Sequence, residues 1–550
     1  MQNVNILTRR AFLDRSTKAG LAVVLSTLTD IPLVMKRALA EGTIGQNGKK
    51  LLFVWLRFGN DALNSVIPIG DTSYGTGIRP TLAIGADPAP GFYSTVGPCF
   101  DATQYLDAAG TARTAGDPTF SYTNAIATGN GFAALHPSHK FLAPLYNAGH
   151  LQLIHRVGYP KQSRSHFDSQ NYWENGNPNN NLVKDGMLYR AMIESGLTST
   201  NALTGVSIQS SLPLLLRGSA AAMTNLSDVN RYQLLGIPRG PGFDKAEAAL
   251  GKANNYPFAD KKNREMLRLQ YQNLMNTLPL FDTIRAQLGT EFLDDVPTDN
   301  DFRYNLFPSS NATNGGYARP GGGNNAAKYV VDTNAYRFFT NLKAAALVLN
   351  KTDAIVAGTE MIDVNIDTHS TQGALTGNHP NLQRRVAWAL YALRKYFSLY
   401  ADKVQWKDLI VVTLSEFGRT TVENADAGTD HAEAGVMFVA GGAIKGYNSG
   451  SPNGSGVFGC SPNDSIPWVP GPANQGGGVD GSMFGVGDRY LKRAIDYRSV
   501  FGEILRKHLG ATQPQVNRII HGYADAREKL LSGGTSGIDS TPILGELGIL

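Results

Sequence analysis

The chain is poor in cysteine, with only Cys99 and Cys460 among 550 residues. A disulfide-dense scaffold needs many cysteines, and a thiolate zinc site needs them in clusters. Both classes are excluded, because each cysteine lies alone in a stretch rich in Gly and Pro. The sequence leaves open whether the two cysteines form a long-range disulfide or are small buried residues.

Charge is also scarce and dispersed. Asp, Glu, Lys and Arg make up 17% of the residues, and the formal net charge is +5. Because Lys and Arg form no basic patch, nucleic acid is not an expected partner. The 42% hydrophobic content is enough to bury a large core, while 60 Gly and 27 Pro indicate long, structured loops rather than a compact helical bundle.

The first forty residues have the features of an export signal. Arg9-Arg10 precedes a mildly apolar run over residues 19–35, and Ala38-Leu39-Ala40 offers a cleavage site between small residues. This order predicts a signal peptide over residues 1–40, the twin-arginine export machinery as a partner, and a periplasmic or secreted mature protein. An ordinary amphipathic helix is the alternative. No later stretch approaches the ~20 continuous apolar residues of a membrane span.

Apolar, strand-like runs end abruptly in polar residues. The run over residues 411–414 leads to Ser415-Glu416-Phe417-Gly418-Arg419, and Thr429-Asp430-His431 follows. A second run leads to Asp367-Thr368-His369, and a third, over residues 50–57, leads to Asp61. Buried parallel strands bring such polar groups to the carboxyl edge of a sheet. Two sets of carboxylate and histidine side chains at one edge suggest a metal site.

Alternating strand and helix patterns predict an α/β protein. The predicted strands cover residues 50–57, 151–157, 409–414 and 436–440, with a further strand ending at Asp367. The predicted helices cover residues 140–148, 261–288, 335–349, 382–400 and 497–508. Residues 180–335 differ in character and are interpreted as an insertion or cap.

Several motifs together resemble one protein family. They are Leu56-Arg57-Phe58-Gly59-Asn60-Asp61-Ala62-Leu63-Asn64, Arg79-Pro80, Leu135-His136-Pro137, Ser163-Arg164-Ser165-His166-Phe167-Asp168, Asp367-Thr368-His369, Ser415-Glu416-Phe417-Gly418-Arg419-Thr420 and Thr429-Asp430-His431. In this order, over roughly residues 50 to 510, they resemble the domain-of-unknown-function 1501 family of exported bacterial proteins. The resemblance implies a fold like that of the alkaline phosphatase and sulfatase superfamily. That fold is a three-layer sandwich with a largely parallel central sheet, here a single domain over residues 41–550.

The resemblance also implies a set of site residues. The implied metal ligands are Asp61, Asp367, His369, Glu416, Asp430 and His431. The implied catalytic residues are Ser165, or alternatively Ser163, as nucleophile, Arg164 to bind phosphate or sulfate oxygens, and His166. The implied cofactor is a divalent ion, either zinc, manganese or calcium.

The chain departs from the family or superfamily pattern at three positions. Phe58 and Ala62 replace glycines of the family, and Phe417 stands where the superfamily has a ligand histidine. An aromatic ring cannot coordinate a divalent ion, so the expectation is a single ion or a site rearranged around His166 or Asp430.

Simpler roles remain open for several of these residues. Ser165 would also serve as the N-cap of the following helix, and Arg419 would either neutralise Glu416 or contact substrate. His136, His155 and His508 are expected to be hydrogen-bonded core residues. The functional hypothesis is a metal-dependent hydrolase of small or polymer-borne phosphate or sulfate esters. The alternative is a non-catalytic exported protein used for binding or surface assembly.

Overall fold

The computed structural model describes residues 44–85, 125–199, 201, 203–228, 241–254, 275, 277–295, 305–309, 335–362, 364–448, 454–471, 483–484, 490–536 and 539–550. The predicted signal peptide and Cys99 lie outside these residues, whereas Cys460 is inside them and buried.

A mostly parallel sheet forms the centre of the protein. Its strands are β1 (Lys50–Trp55), β5 (Leu151–Gly158), β6 (Gly205–Ile208), β7 (Thr224–Asn225), β8 (Val356–Glu360), β9 (Leu409–Leu414), β10 (Gly435–Gly441), β11 (Val457–Phe458) and β12 (Ile495–Asp496). Their order is β11-β5-β10-β9-β1-β8-β6-β7, with β12 also paired to β5. Three short strands, β2 (Val66–Ile67), β3 (Ile126–Ala127) and β4 (Ala134–Leu135), form a second sheet, and β13 (Gly534–Thr535) pairs with β14 (Pro542–Ile543).

Among the described residues, β10 is the only strand of the central sheet that is antiparallel to the others. β1 lies between β8 and β9, parallel to both, with Leu51 opposite Val356 and Ile410. β10 is antiparallel to both β5 and β9. The continuous apolar sequences of β1 and β9 fit this position, because strands covered on both faces do not need the polar alternation of a half-exposed strand.

Helices cover both faces of the sheet. They are α1 (Ala62–Ser65), α2 (Ala143–Asn147), α3 (His166–Asn175), α4 (Met187–Glu194), α5 (Pro241–Asn254), α6 (Tyr336–Lys351), α7 (Asn378–Leu399), α8 (Tyr497–Glu503) and α9 (Gln513–Ile519), with helical residues 277–288 in addition. Leu52 and Val54 of β1 belong to the core that holds α6 and α7. Leu51, Phe53 and Trp55 face the core that holds α4, α8 and α9. This arrangement is compatible with a three-layer α/β sandwich.

Several predicted elements are confirmed, and one strand ends earlier than expected. The predicted helix over residues 261–288 is helical at residue 275 and over residues 277–288, and its other residues lie outside those described. β9 has the predicted bounds, and β1, β5, β10, α6 and α7 lie within a few residues of theirs. The strand expected to end at Asp367 stops at Glu360, and the residues that carry Asp367 and His369 form a loop. β6 and β7 fall inside residues 180–335 and pair into the central sheet next to β8.

The topology brings several loops to one edge of the sheet. The loops that follow β1, β5, β8 and β9 start at the carboxyl ends of parallel strands. The loop that precedes β10 reaches the same edge, because β10 is antiparallel. Among the described residues, no helix has both the length and the apolar character needed to cross a membrane.

Candidate metal centre

Three histidines and one aspartate from three of these loops meet at the carboxyl edge. His166 is the first residue of α3, which follows β5, and Asp367 and His369 lie in the loop after β8. His431 precedes β10, and its backbone pairs with Arg419 in an antiparallel bridge. Residues far apart in the chain are therefore fixed next to one another by the sheet and its loops.

Four ligand-type groups converge at this point. His369 Nε2 lies 3.0 Å from His431 Nε2, and each of these nitrogens lies 3.1 Å from Asp367 Oδ1. His166 Nε2 lies 3.4 Å from Asp367 Oδ2. Neighbouring ligand atoms around a divalent ion bound at ~2.1 Å are separated by roughly 3.0 to 3.4 Å. The ligand atoms of His166, Asp367 and His431 all lie within 4.8 Å of one another, as in a metal-ligand set, and His369 adds a fourth group with this spacing to Asp367 and His431.

Each of the three histidines has its other ring nitrogen held by an acceptor. His166 Nδ1 lies 2.8 Å from Glu416 Oε1, and His369 Nδ1 lies 3.1 Å from Asp430 Oδ1. His431 Nδ1 lies 2.9 Å from the backbone oxygen of Arg164. Histidines that bind metals through Nε2 commonly donate Nδ1–H to a carboxylate or a carbonyl in this way.

The acceptors at Nδ1 are compatible with one tautomer of His369 and His431. A carbonyl or carboxylate oxygen only accepts, so a neutral ring that donates Nδ1–H to it has its lone pair on Nε2. In that tautomer the two Nε2 lone pairs face each other at 3.0 Å, an arrangement that a cation bound to both would stabilise. His166 Nε2 is itself buried without a hydrogen-bond partner among the described residues. The four groups thus fit a bound cation.

Arg419 keeps Asp367 ionised. Its Nη2 donates to Asp367 Oδ1 at 2.6 Å, and its other N–H groups donate to the carbonyls of Gly59 and Thr429. Burial opposes ionisation of Asp367, but Arg419 outweighs it and lowers the carboxyl pKa to about 2. Arg419 forms its ion pair with Asp367 rather than with Glu416, so the expected neutralisation of Glu416 by Arg419 is wrong.

His431 is held neutral in the same environment. Burial, followed by the nearby positive charge of Arg419, lowers its pKa below the usual value, against the attraction of Asp367. An anionic carboxylate and a neutral imidazole are the protonation states that a metal ion requires.

Phe417 packs against two rings of the cluster. Its ring centroid lies 4.8 Å from that of His166 and 4.6 Å from that of His431. A Cβ added to Gly59, whose φ is +80°, would lie 2.5 Å from the Phe417 ring. Phe417 therefore packs against the rings of His166 and His431 and has room to do so because residue 59 is a glycine.

Glu416 bonds to His166 and lies outside the set of four ligand-type groups. Its Oε1 accepts hydrogen bonds from the Phe58 amide at 2.7 Å, from His166 and from Gln170. Its Oε2 is buried and has no hydrogen-bond partner in the described residues. Glu416 is thus placed to orient His166, and Asp430 orients His369 in the same manner.

Asp61 is not brought into this cluster. It forms a buried ion pair with Arg79, in which Nη1 donates to Oδ2 at 2.6 Å and Nη2 donates to Oδ1 at 3.2 Å. Leu63 N and Gln372 Nε2 donate to the same two oxygens. Four donors occupy the carboxylate, so the prediction of Asp61 as a metal ligand is not supported by its contacts. Arg79-Pro80 was among the sequence motifs, but no sequence pattern indicated that Arg79 would pair with Asp61.

The predicted catalytic segment lies beside the cluster. Ser165 is the N-cap of α3, with its Oγ 3.5 Å from the amide of Asp168, and it is exposed. Arg164 is also exposed, and its guanidinium stacks on the Tyr490 ring at 4.4 Å. The capping role of Ser165 is confirmed, and the hydroxyl remains open to solvent next to His166.

Fold and cluster together define an α/β protein with a histidine- and aspartate-lined centre at the edge of its sheet. The sequence model of the family described as "Protein of unknown function (DUF1501)" matches residues 324–451. The matched stretch contains β8, β9 and β10 and includes Asp367, His369 and His431, and it supports the resemblance to this family. Searches of curated proteins and of solved structures gave no match.

Proposed function

We propose that the protein binds one divalent metal ion through His166, Asp367, His369 and His431 and uses this centre to hydrolyse phosphate or sulfate esters. The convergence of three imidazole nitrogens on one carboxylate carries the proposal. Three nitrogen ligands and one oxygen ligand suit zinc or manganese better than calcium, which prefers oxygen.

Charge and exposure favour an anionic substrate. Asp367 is paired with Arg419, so a divalent ion would leave the centre positively charged. Arg164, whose backbone oxygen lies 2.9 Å from His431 Nδ1, is exposed, and a guanidinium can bind two oxygens of a phosphate or sulfate group. The cluster is open to this approach, since 46% of the His369 side chain is exposed.

Ser165 is the proposed nucleophile. A bound ion would polarise the ester and lower the pKa of water in the centre. Ser165 Oγ would form a bond to phosphorus or sulfur while the bond to the alcohol oxygen breaks. The serine proton would pass to solvent, the alcohol would take up a proton, and water would then hydrolyse the seryl ester. Amides at the start of α3 would stabilise the charge on the transferred group.

A non-catalytic binding protein is the second candidate. Phe417 packs on the rings of His166 and His431, and the carboxylate of Asp61 is paired with the guanidinium of Arg79. The described residues therefore supply one convergent ligand cluster rather than two. A single ion without turnover would still bind anions, so metal content alone does not separate the two functions.

Metal analysis combined with hydrolysis assays separates the hydrolase from the non-catalytic binding protein. Wild-type protein purified without added metal should contain about one zinc or manganese ion per chain. It should also hydrolyse members of a panel of aryl phosphates, phosphodiesters and aryl sulfates. His431→Ala and Asp367→Ala should lose the ion, and the control His150→Gln, which changes a half-buried histidine bonded to Trp406, should keep it. Full metal loading without any hydrolysis would favour the binding protein, and metal-free wild type would refute both.

The nucleophile is tested within the same series. Ser165→Ala should keep its ion, lose most hydrolysis and lose about 1 kcal/mol of stability with the N-cap. Ser163→Ala is the matched control, because Ser163 Oγ only accepts from the Ser165 amide. Equal activity of Ser165→Ala and wild type would assign the attack to water.

A further inference from the structure

One exposed phenylalanine packs on a histidine of the candidate metal centre, and a second follows that histidine in the chain. Phe58 is 45% exposed, and its ring meets the ring of His166 edge-on with 5.4 Å between centroids. Phe167, the residue after His166, is 83% exposed. These are the only phenylalanine side chains that the structure describes as exposed. Large apolar groups that remain exposed beside a site often bind ligand.

Phe58 occupies a backbone conformation that favours glycine. Its φ is +80°, which costs a residue with a side chain roughly 1–2 kcal/mol. The conformation is fixed from both sides, because the Phe58 amide donates to Glu416 and its carbonyl accepts from Arg419. Glycine would fill this position without strain. The Phe58 ring is therefore present although its backbone strain is not required by the fold.

Phe167 is adjacent to the centre along the chain. It lies in the first turn of α3, and its neighbour His166 is a proposed ligand. The Asp168 carboxylate accepts a hydrogen bond from Asn181, which helps to fix the first turn of α3. Arg164, two residues before His166, is exposed as well, and its backbone oxygen lies 2.9 Å from His431 Nδ1. A cationic residue and apolar residues around one centre match a ligand with an anionic group and an apolar group.

We infer that the ester bound at this centre carries an apolar group, such as a phenyl ring, beside its anionic group, and that Phe58 and Phe167 bind that apolar group. This inference rests on the proposed function and adds the substrate class to it. Contact with the rings would bury apolar surface, and an aromatic group would also gain edge-to-face contacts. A small hydrophilic ester would gain nothing from either ring.

Two non-hydrolysable anions test the inference without the need for turnover. Phenylphosphonate and methylphosphonate should be titrated into the metal-loaded protein by calorimetry. Wild type should bind phenylphosphonate at least about tenfold more tightly. Phe58→Gly should lose most of this preference, keep its affinity for methylphosphonate and melt no lower than wild type, because glycine relieves the backbone strain. Phe167→Ala should lose part of the preference as well.

The control is Leu399→Ala, which removes an exposed apolar side chain at the last residue of α7 and should keep the preference. Equal affinity for the two phosphonates would overturn the inference and leave the proposed function intact. A preference that survives both phenylalanine variants would overturn the assignment to these rings. Failure of both anions to bind metal-loaded protein would overturn the proposed function, and the inference with it.

Discussion

At the scale of single residues, hydrogen-bond partners separate ligands from structural groups. Asp61 and Asp367 both follow strands of the sheet, and both are bonded to a buried arginine. The oxygens of Asp61 are occupied by four donors, whereas Asp367 also faces three imidazole nitrogens. Asp61 is therefore assigned a structural role, and Asp367 a proposed role as ligand.

The Asp61–Arg79 pair should carry a large share of local stability without affecting the metal. Asp61→Asn leaves the Arg79 guanidinium buried and unpaired, which typically costs ~3–5 kcal/mol. Chemical unfolding should show this loss, and the double variant Asp61→Asn/Arg79→Met should recover part of it. The folded fraction of Asp61→Asn should keep its full metal content. Loss of the ion from folded Asp61→Asn would restore Asp61 as a ligand.

The same pair gives a defined acid response. Burial raises the pKa of Asp61, but Arg79 and Gln372 outweigh burial and lower it to about 2. A depressed carboxyl pKa stabilises the folded state above the ordinary pKa near 4, and the contribution is lost as pH falls through about 2. This pair therefore does not limit stability near neutral pH.

At the scale of elements, the loop after β1 connects the sheet to the cluster. Phe58 and Gly59 both have φ of +80°, and their carbonyls bind the guanidinium of Arg419. The sequence, through its resemblance to the domain-of-unknown-function 1501 family, implied a glycine at residue 58, and left-handed backbone favours glycine there. It did not show that Gly59 leaves room for the Phe417 ring, because that contact joins residues distant in the chain.

Two glycine substitutions separate packing from backbone strain. Gly48→Ala and Gly59→Ala both place a side chain at positive φ, and each should lose ~1 kcal/mol for that reason. A Cβ at Gly48 meets nothing within 4 Å, whereas one at Gly59 lies 2.5 Å from the Phe417 ring. Gly59→Ala should therefore be the less stable variant in thermal unfolding and should bind metal more weakly. Equal stability and equal metal affinity would mean that Phe417 does not support the histidines.

The strands were predictable because their signal is local, and the site was predictable only in part. Continuous apolar runs marked β1 and β9, and polar residues after them marked the sheet edge. The partners of Glu416, Asp430 and Arg419 depend on contacts between loops, which no periodicity encodes. His166 was identified as a site residue, but its convergence with His369 and His431 required the three-dimensional arrangement.

At the scale of the whole molecule, buried neutral histidines should control the pH dependence of stability. His136, His155 and His508 are buried and bonded to backbone carbonyls, as expected from the sequence, and His139 is bonded to Gln383. Burial lowers the pKa of His139 and His155 to about 3 and that of His508 to about 4, and it lowers that of His136 as well.

Stability should therefore fall on mild acidification. A depressed histidine pKa means that the folded state takes up fewer protons than the unfolded chain, so the contribution is present above pH ~6.5 and lost as pH falls below it. Between pH ~7.5 and ~5.5, each of these four histidines should lower the free energy of unfolding by roughly 1 kcal/mol. Burial raises the pKa of Asp464 and Glu174, which act in the opposite direction, but two carboxyls do not offset four histidines.

Chemical unfolding in the presence of a chelator measures this effect without a contribution from metal binding. The free energy of unfolding should be several kcal/mol lower at the acid pH. His139→Gln, which retains a donor for Gln383, should show a smaller pH dependence than wild type. Equal or greater stability at the acid pH would contradict the neutral state of these histidines.

The central claim is that one ion is held by four particular side chains. Anomalous diffraction from crystals of the metal-loaded protein, collected at the absorption edge of the metal found by elemental analysis, tests this most directly. A single strong peak should lie about 2 Å from the Nε2 atoms of His166, His369 and His431 and from a carboxylate oxygen of Asp367. No peak at this position, or a peak at Asp61 or elsewhere in the chain, would contradict the account.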